Sequence, residues 1–166
     1  MNRLSLPAAI LLAIVVSACG ATYTPPQTYS FINARTIDKP FDEVWGRTVQ
    51  WFALSGNPVK NMDRSSGFIA TDYNLGVNDL EACDCGQGGL NLVQREELSE
   101  RLGNFNVFLQ KVEETKTRVT VTVKYFAIFD KSVNSGRGGY QPAGSTKREC
   151  NSTGKLEGRI LAYLAE

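Results

Sequence analysis

The stretch PFDEVWGRTVQWFALSGNPVKNMDRSSGFIATDY, residues 40–73, decides the fold. Pro40 suits a first helical turn, and Asp42 and Glu43 stand where the positive end of a helix dipole favours carboxylates. Phe41, Val44, Trp45, Thr48, Val49 and Phe52 recur at helical spacing, and Gly56-Asn57-Pro58 stops the run. The spacing predicts an amphipathic helix whose stripe of aromatic and β-branched side chains needs a broad apolar partner. Trp45 and Phe52 read as core. After the stop, Val59–Asp63 and Phe68–Tyr73 alternate on either side of Arg64-Ser65-Ser66-Gly67, which predicts a hairpin.

Working outward, later strands supply the partner. Phe105, Val107 and Leu109 alternate with Asn106, Phe108 and Gln110. Glu113-Glu114-Thr115-Lys116 then turns the chain into Val119, Val121, Val123 and Tyr125, alternating with Thr120, Thr122 and Lys124. Phe126, Ile128 and Phe129 put apolar residues on both faces, so the far end of this strand is expected beneath another element. Ser30–Asp38 reads as a first strand on Phe31, Ile32 and Ile37. A last helix is expected to start near Ser152 or Thr153, with Asn151-Ser152-Thr153 as its cap, and to carry Leu156, Ile160, Leu161, Tyr163 and Leu164. Glu96, Glu97, Glu100 and Arg101, between Leu92 and Leu102, read as the wet face of a short helix. Ser132 to Lys147, with four glycines and one proline, reads as a mobile loop. The expected architecture is therefore α+β, an antiparallel sheet curled around a long helix in the order β-α-β-β-β-β-α.

The N-terminus is an address. Arg3, an apolar run from Leu4 to Val16 and small residues before Cys19 describe a secretory signal, and Leu4 to Ala18 is too short for the roughly 20 residues that span a bilayer. Val16-Ser17-Ala18-Cys19 resembles the lipobox of bacterial lipoproteins. That resemblance implies removal of residues 1–18 and acylation of Cys19, whose chains hold the protein to a membrane without any spanning segment. Gly20 follows the cysteine where an Asp would, by the sorting rule the resemblance brings with it, retain the protein in the inner membrane. The expected location is the periplasmic face of the outer membrane. Residues 19–29, polar and carrying Pro25-Pro26, read as a lipidated flexible tether whose last ten residues extend over at most about 33–36 Å. Residues 30–166 then make a single domain.

Residues 30–73 are similar to the helix-then-hairpin unit of the C-subunit lipoprotein of the outer-membrane β-barrel assembly machinery (BamC-like) and of small lipoproteins sharing that helix-grip module. The match rests on Pro40-Phe41-Asp42-Glu43-Val44-Trp45, on the Gly-Asn-Pro stop, and on the run from Val59 through Gly67 to Thr71. The resemblance implies a sheet gripping a helix and a non-enzymatic role in assembly or interaction. This chain has room for one such module instead of two.

Composition narrows the chemistry. Lys and Arg number 18 against 17 Asp and Glu, and loss of Arg3 leaves the processed chain formally neutral, without the basic footprint of nucleic-acid binding. Histidine is absent, which excludes Ser-His-Asp, Cys-His and His-ligated zinc enzymes. With Cys19 acylated, Cys83, Cys85 and Cys150 remain in an oxidising compartment, so a disulfide and a spare thiol are expected. The pairing taken is Cys85 with Cys150, which would pin a Gly-rich insertion to the entrance of the last helix. Cys83 with Cys150 is the alternative, and a Cys83–Cys85 bridge would close a strained ring. A redox pair, or a soft-metal site on Cys83, Cys85, Asp79 and Glu81, are further alternatives; without Cys-x-x-Cys or a second ligand cluster, the reading taken has no metal and no cofactor.

Two functions from different classes follow. One is an interaction lipoprotein presenting its domain to envelope proteins, anchored in the membrane through Cys19. The other is a binding module with a lipid or other apolar ligand between helix and sheet, lined by Trp45, Trp51, Phe68, Tyr73 and Tyr125. Trp51 falls off the main helical stripe and is the candidate for a contact patch.

Overall fold

The computed structural model describes residues 22–71, 75–76, 81–136 and 138–166. The signal sequence, Cys19, Tyr73 and Asp79 lie outside the described residues. Among the described residues, eight strands and two helices follow in the order β1 (Ala34–Ile37), α1 (Phe41–Ser55), β2 (Val59–Asp63), β3 (Phe68–Thr71), β4 (Leu75–Gly76), β5 (Cys83–Asp84), β6 (Gln94–Glu113), β7 (Lys116–Asn134), β8 (Tyr140–Ser152) and α2 (Lys155–Ala165).

The expected sheet curled around a long helix is not what forms. α1 has only 15 residues, whereas β6 and β7 have 20 and 19 and pair with each other along nearly their whole length. This hairpin is the spine, and everything else attaches to its two edges. Near the Glu113–Lys116 turn, β3 pairs with β6 and carries β2 outside it, while β1 pairs with β7. Toward the open end, β4 pairs with β6, and β8 pairs with β7 and carries β5. Every one of these pairings is antiparallel. The helix-then-hairpin unit of residues 41–71 is present, but as one corner of a much longer sheet.

Two regions expected to be irregular or helical are strands. Residues 94–102 extend β6, because backbone pairing to β7 outweighs the helical preference of Glu, Leu and Arg. A bulge between Leu98 and Glu100 inserts Ser99, whose hydroxyl donates to the Ile128 carbonyl at 3.1 Å. Much of the expected loop from Ser132 to Lys147 belongs to the end of β7 and to β8.

One face of the spine is covered in two parts. Beneath α1 and α2, Val44 and Phe52 of α1 and Ile160, Leu161 and Leu164 of α2 pack on Phe105, Val107, Val119 and Val121 of the spine. Thr48 is buried within that interface and donates to the Val44 carbonyl at 2.8 Å, so its hydroxyl stays satisfied. Arg47 joins the helices, donating to the Tyr163 carbonyl at 2.6 Å. Thr71 closes β3 onto β6 with its side chain, accepting from the Phe105 N–H at 2.9 Å and donating to the Phe105 carbonyl at 3.1 Å. Gly67 ends the β2–β3 turn at φ 72°, where a Cβ would run into the Leu109 carbonyl. Farther along β7, Tyr125, Ala127 and Phe129 continue the same face and meet Ala82, Cys83, Cys85 and Cys150 instead of a helix.

α2 starts differently from the expected cap. Its N-cap is Gly154, at φ 83° and packed against the Phe31 ring, with no side-chain cap. Ser152 lies just before it, accepting from the Gly154 N–H at 3.1 Å and donating to Glu157 at 2.8 Å.

Candidate functional site

The open-end half of the covered face gathers the groups with chemistry. The register Cys83↔Ser152 and Asp84↔Asn151 brings Cys85 next to Cys150, and the two form the expected disulfide across 65 residues of sequence. The bridge fixes the insertion at the entrance of α2, as do the Thr153 N–H and hydroxyl, which donate to the carbonyls of Ala82 and Glu81. An ion pair joins Lys155 to Glu81. Cys83 is buried with its sulfur 3.8 Å from that of Cys85. A third sulfur therefore stands beside the bridge, shielded from solvent as structural thiols are.

Part of the expected tether is docked here. Tyr23 meets Phe129 edge-on with ring centroids 5.8 Å apart, and its hydroxyl donates to the Cys85 carbonyl at 3.0 Å. Thr24 and Gln87 exchange backbone hydrogen bonds at 3.1 and 2.9 Å. Asp84 then collects the next residues, accepting from the Gln27 N–H at 2.9 Å and the Tyr29 hydroxyl at 3.1 Å. The stretch from Tyr23 to Tyr29 is thus a strap along the domain, held by the Tyr23 ring packed on Phe129 at one end and by the Tyr29 hydroxyl on Asp84 at the other.

Charge is organised around the strap. The Arg148 guanidinium lies 4.0 Å from the Tyr23 ring centroid and 4.9 Å from that of Phe129, and it pairs with Glu96 at 2.9 Å, where Lys131 adds a second contact at 3.4 Å. Burial works to raise the Glu96 pKa, but the Arg148 hydrogen bond and charge, with Lys131 behind them, hold it below the usual glutamate value. Asp84 behaves likewise: burial pushes upward, and the donors from Gln27, Gly86 and Tyr29 outweigh it, so its pKa is lowered. A groove of about 660 Å³ opens in front of this corner, lined in part by Tyr29, Cys83, Asp84, Arg101 and Lys155. A second, of about 530 Å³, lies at the hairpin turn, where Arg64 pairs with Asp42 at 2.7 Å.

Of the residues expected to line a ligand cavity or patch, Tyr73 lies outside the described residues and the other four are spread over different parts of the domain. Trp45 is buried and stacks on Phe41 at 6.0 Å. Trp51 is half-buried, meeting Phe52 and Phe105 edge-on at 5.2 and 5.7 Å, so its ring extends the core instead of standing free. Phe68 pairs with Phe108 on the opposite face of the sheet from Ile69 and Val107. Tyr125 is buried in the disulfide cluster, between Gly103 and Cys150. The space between α1 and the sheet is filled by Val44, Thr48, Phe52 and Phe105. The strap was missed by sequence reasoning, and its only signal was the pair Tyr23 and Tyr29 in an otherwise polar stretch.

Among the described residues, no cluster of His, Cys, Asp and Glu could hold a metal ion, and no helix is long and apolar enough to cross a membrane. No protein-family model matches this chain, and neither does any curated protein.

Proposed function

We propose that this chain is a non-enzymatic bacterial lipoprotein, held at the periplasmic face of the outer membrane by acyl chains on Cys19 and presenting its mainly antiparallel domain to envelope proteins. The observation that carries the reading is the lipobox Val16-Ser17-Ala18-Cys19 after an apolar run, with Gly20 in place of a retention aspartate. The docked strap adds to it. Because the chain is docked on the domain from Tyr23 onward, only Gly20, Ala21 and Thr22 separate Cys19 from the strap, which keeps the domain close to the anchor.

Labelling cells with radioactive palmitate tests the anchor. Label on the wild type, its loss in C19S and sedimentation with outer membranes support the reading; an unlabelled wild type, or a C19S chain processed and sedimented unchanged, overturns it. Cross-linking in intact cells tests the presentation role. A discrete adduct to an envelope protein through the domain is the expected result, and its absence at every surface position probed overturns that role.

A further inference from the structure

The open end of the spine carries an apolar tip that the fold does not bury. Leu90, Leu92 and Val93 are 71%, 89% and 49% exposed, and Val133 and Tyr140 stand beside them at 36% and 39%. The tip is held in shape. The Asn91 side chain accepts from the N–H groups of Val93 at 2.8 Å and Gln94 at 2.6 Å, the Asn134 N–H donates to the Val93 carbonyl at 2.8 Å, and the Tyr140 hydroxyl donates to the Asn91 carbonyl at 3.1 Å. Residues 86–94 and 138–146 contain no charged side chain; Asp84 and Arg95 flank the first run, and Arg137 and Lys147 the second.

The direction of the strap says what faces this tip. Thr24 and Gln87 pair antiparallel, so the chain followed backward from Thr24 runs the same way as the chain followed forward from Gln87, toward Leu90 and Leu92. Cys19 is five residues before Thr24, and Leu92 is five residues after Gln87. Thr22 comes only three residues after Cys19, a reach of about 11 Å at most whatever their conformation. Acyl chains on Cys19 are therefore tied to the end of the strap that runs toward the open end of the hairpin.

We infer that the Leu90–Gln94 loop, with Val133 and Tyr140, is a second membrane contact. It seats in the lipid interface beside the acyl chains, so that the domain stands on its tip instead of swinging on a tether. The inference rests on the lipid-anchor reading above. An uncharged loop of leucine and valine flanked by a tyrosine has the composition of an interfacial segment, apolar at its end and amphipathic at its rim.

The test uses the acylated protein in vesicles of phosphatidylethanolamine and phosphatidylglycerol with brominated acyl chains. A Leu92→Trp variant is expected to add emission that shifts to shorter wavelength on vesicles and is largely quenched by bromine, read against the wild-type background of Trp45 and Trp51. Val112→Trp reports from an exposed position about 60 Å away along β6 and is expected to stay unquenched. Mass spectrometry and flotation read the anchor separately. Flotation with an unquenched L92W overturns the tip contact alone, as does a blue-shifted but unquenched signal, which would mean that protein covers the tip. A wild type that is not acylated and does not float overturns the anchor and the tip contact together.

Discussion

The half of the sheet beneath the helices and the half beneath the Cys85–Cys150 bridge share one strand face, yet they are covered by different physics. Val119, Val121 and Val123 look up at helices that bury matching stripes, and the contact is almost wholly apolar. Tyr125, Ala127 and Phe129 look up at a strap, a short strand and a disulfide, tied down by hydrogen bonds, a cation over two rings and one covalent link. Burial of a patterned surface is cooperative, and each pattern that makes it is written in one short stretch of sequence. A cover assembled from residues 22–29 and 81–87, and tied to Arg148 and Cys150 of β8, has little apolar area of its own and depends on directed contacts. The two halves should therefore fail separately.

The largest effect is expected from Phe52→Ala, which removes a buried ring stacked on Phe105 at 5.5 Å beneath the helices. Urea denaturation should show a loss of about 3–5 kcal/mol for the helix-covered half; a loss confined to α1, with α2 and the strands beneath both helices still protected, would break the picture of one helix-covered core. Removing the bridge in a C85S/C150S double variant should cost up to about 4 kcal/mol by the chain-entropy estimate. Hydrogen exchange should rise first in residues 22–29 and 81–87 and leave the region of Val107 and Val121 protected. Uniform deprotection would show that the halves are one unit.

Arg148→Ala should be milder, about 1–3 kcal/mol, because it leaves the mostly buried Glu96 with only Lys131 and uncovers Tyr23. Exchange at the Tyr23–Gln27 amides reads it, and no change there would remove Arg148 from the strap. Acid gives the smallest effect. Glu96 and Asp84 both have folded pKa values below their ordinary values of 4.5 and 3.8, so the stability they add is present above those values and lost as pH falls through the depressed ones. As pH falls below those ordinary values the strap should loosen while the helix-covered half holds, which amide shifts of Gln27 and Gly86 would report; a strap that stays docked once Asp84 is protonated would show that Asp84 does not hold it.

The same contrast explains what was legible in the sequence. A helical stripe from Phe41 to Phe52 and an alternation from Phe105 to Tyr125 each fit in one window, so the first half could be read directly. Residues 94–102 could not. Glu96 points inward there because Arg148, 52 residues away, waits to receive it, and Ser99 breaks the alternation that would have marked a strand. The long-helix expectation fails for a related reason: with residues 94–102 read as helix and Ser132–Lys147 as loop, the spine looks short enough for α1 to cover it. Two signals reach into the second half: the apolar run Phe126, Ile128 and Phe129 asks for a cover, and Cys85 and Cys150 announce a covalent tie whatever lies between them. Tyr23 carried no periodic signal, because its partners Phe129 and Arg148 meet it only after the sheet has formed.

The length of the spine has a mechanical consequence. Nineteen residues of β7 lie along nearly the full run of β6, giving a stiff two-stranded beam about 60 Å long. Rotation at one extremity is carried to the other with little bending, so a tilt of about 10° at the Leu92 extremity would sweep the Glu113–Lys116 turn through roughly 10 Å. A molecule grasping that turn would sense the posture of the whole rod as a change in its own reach.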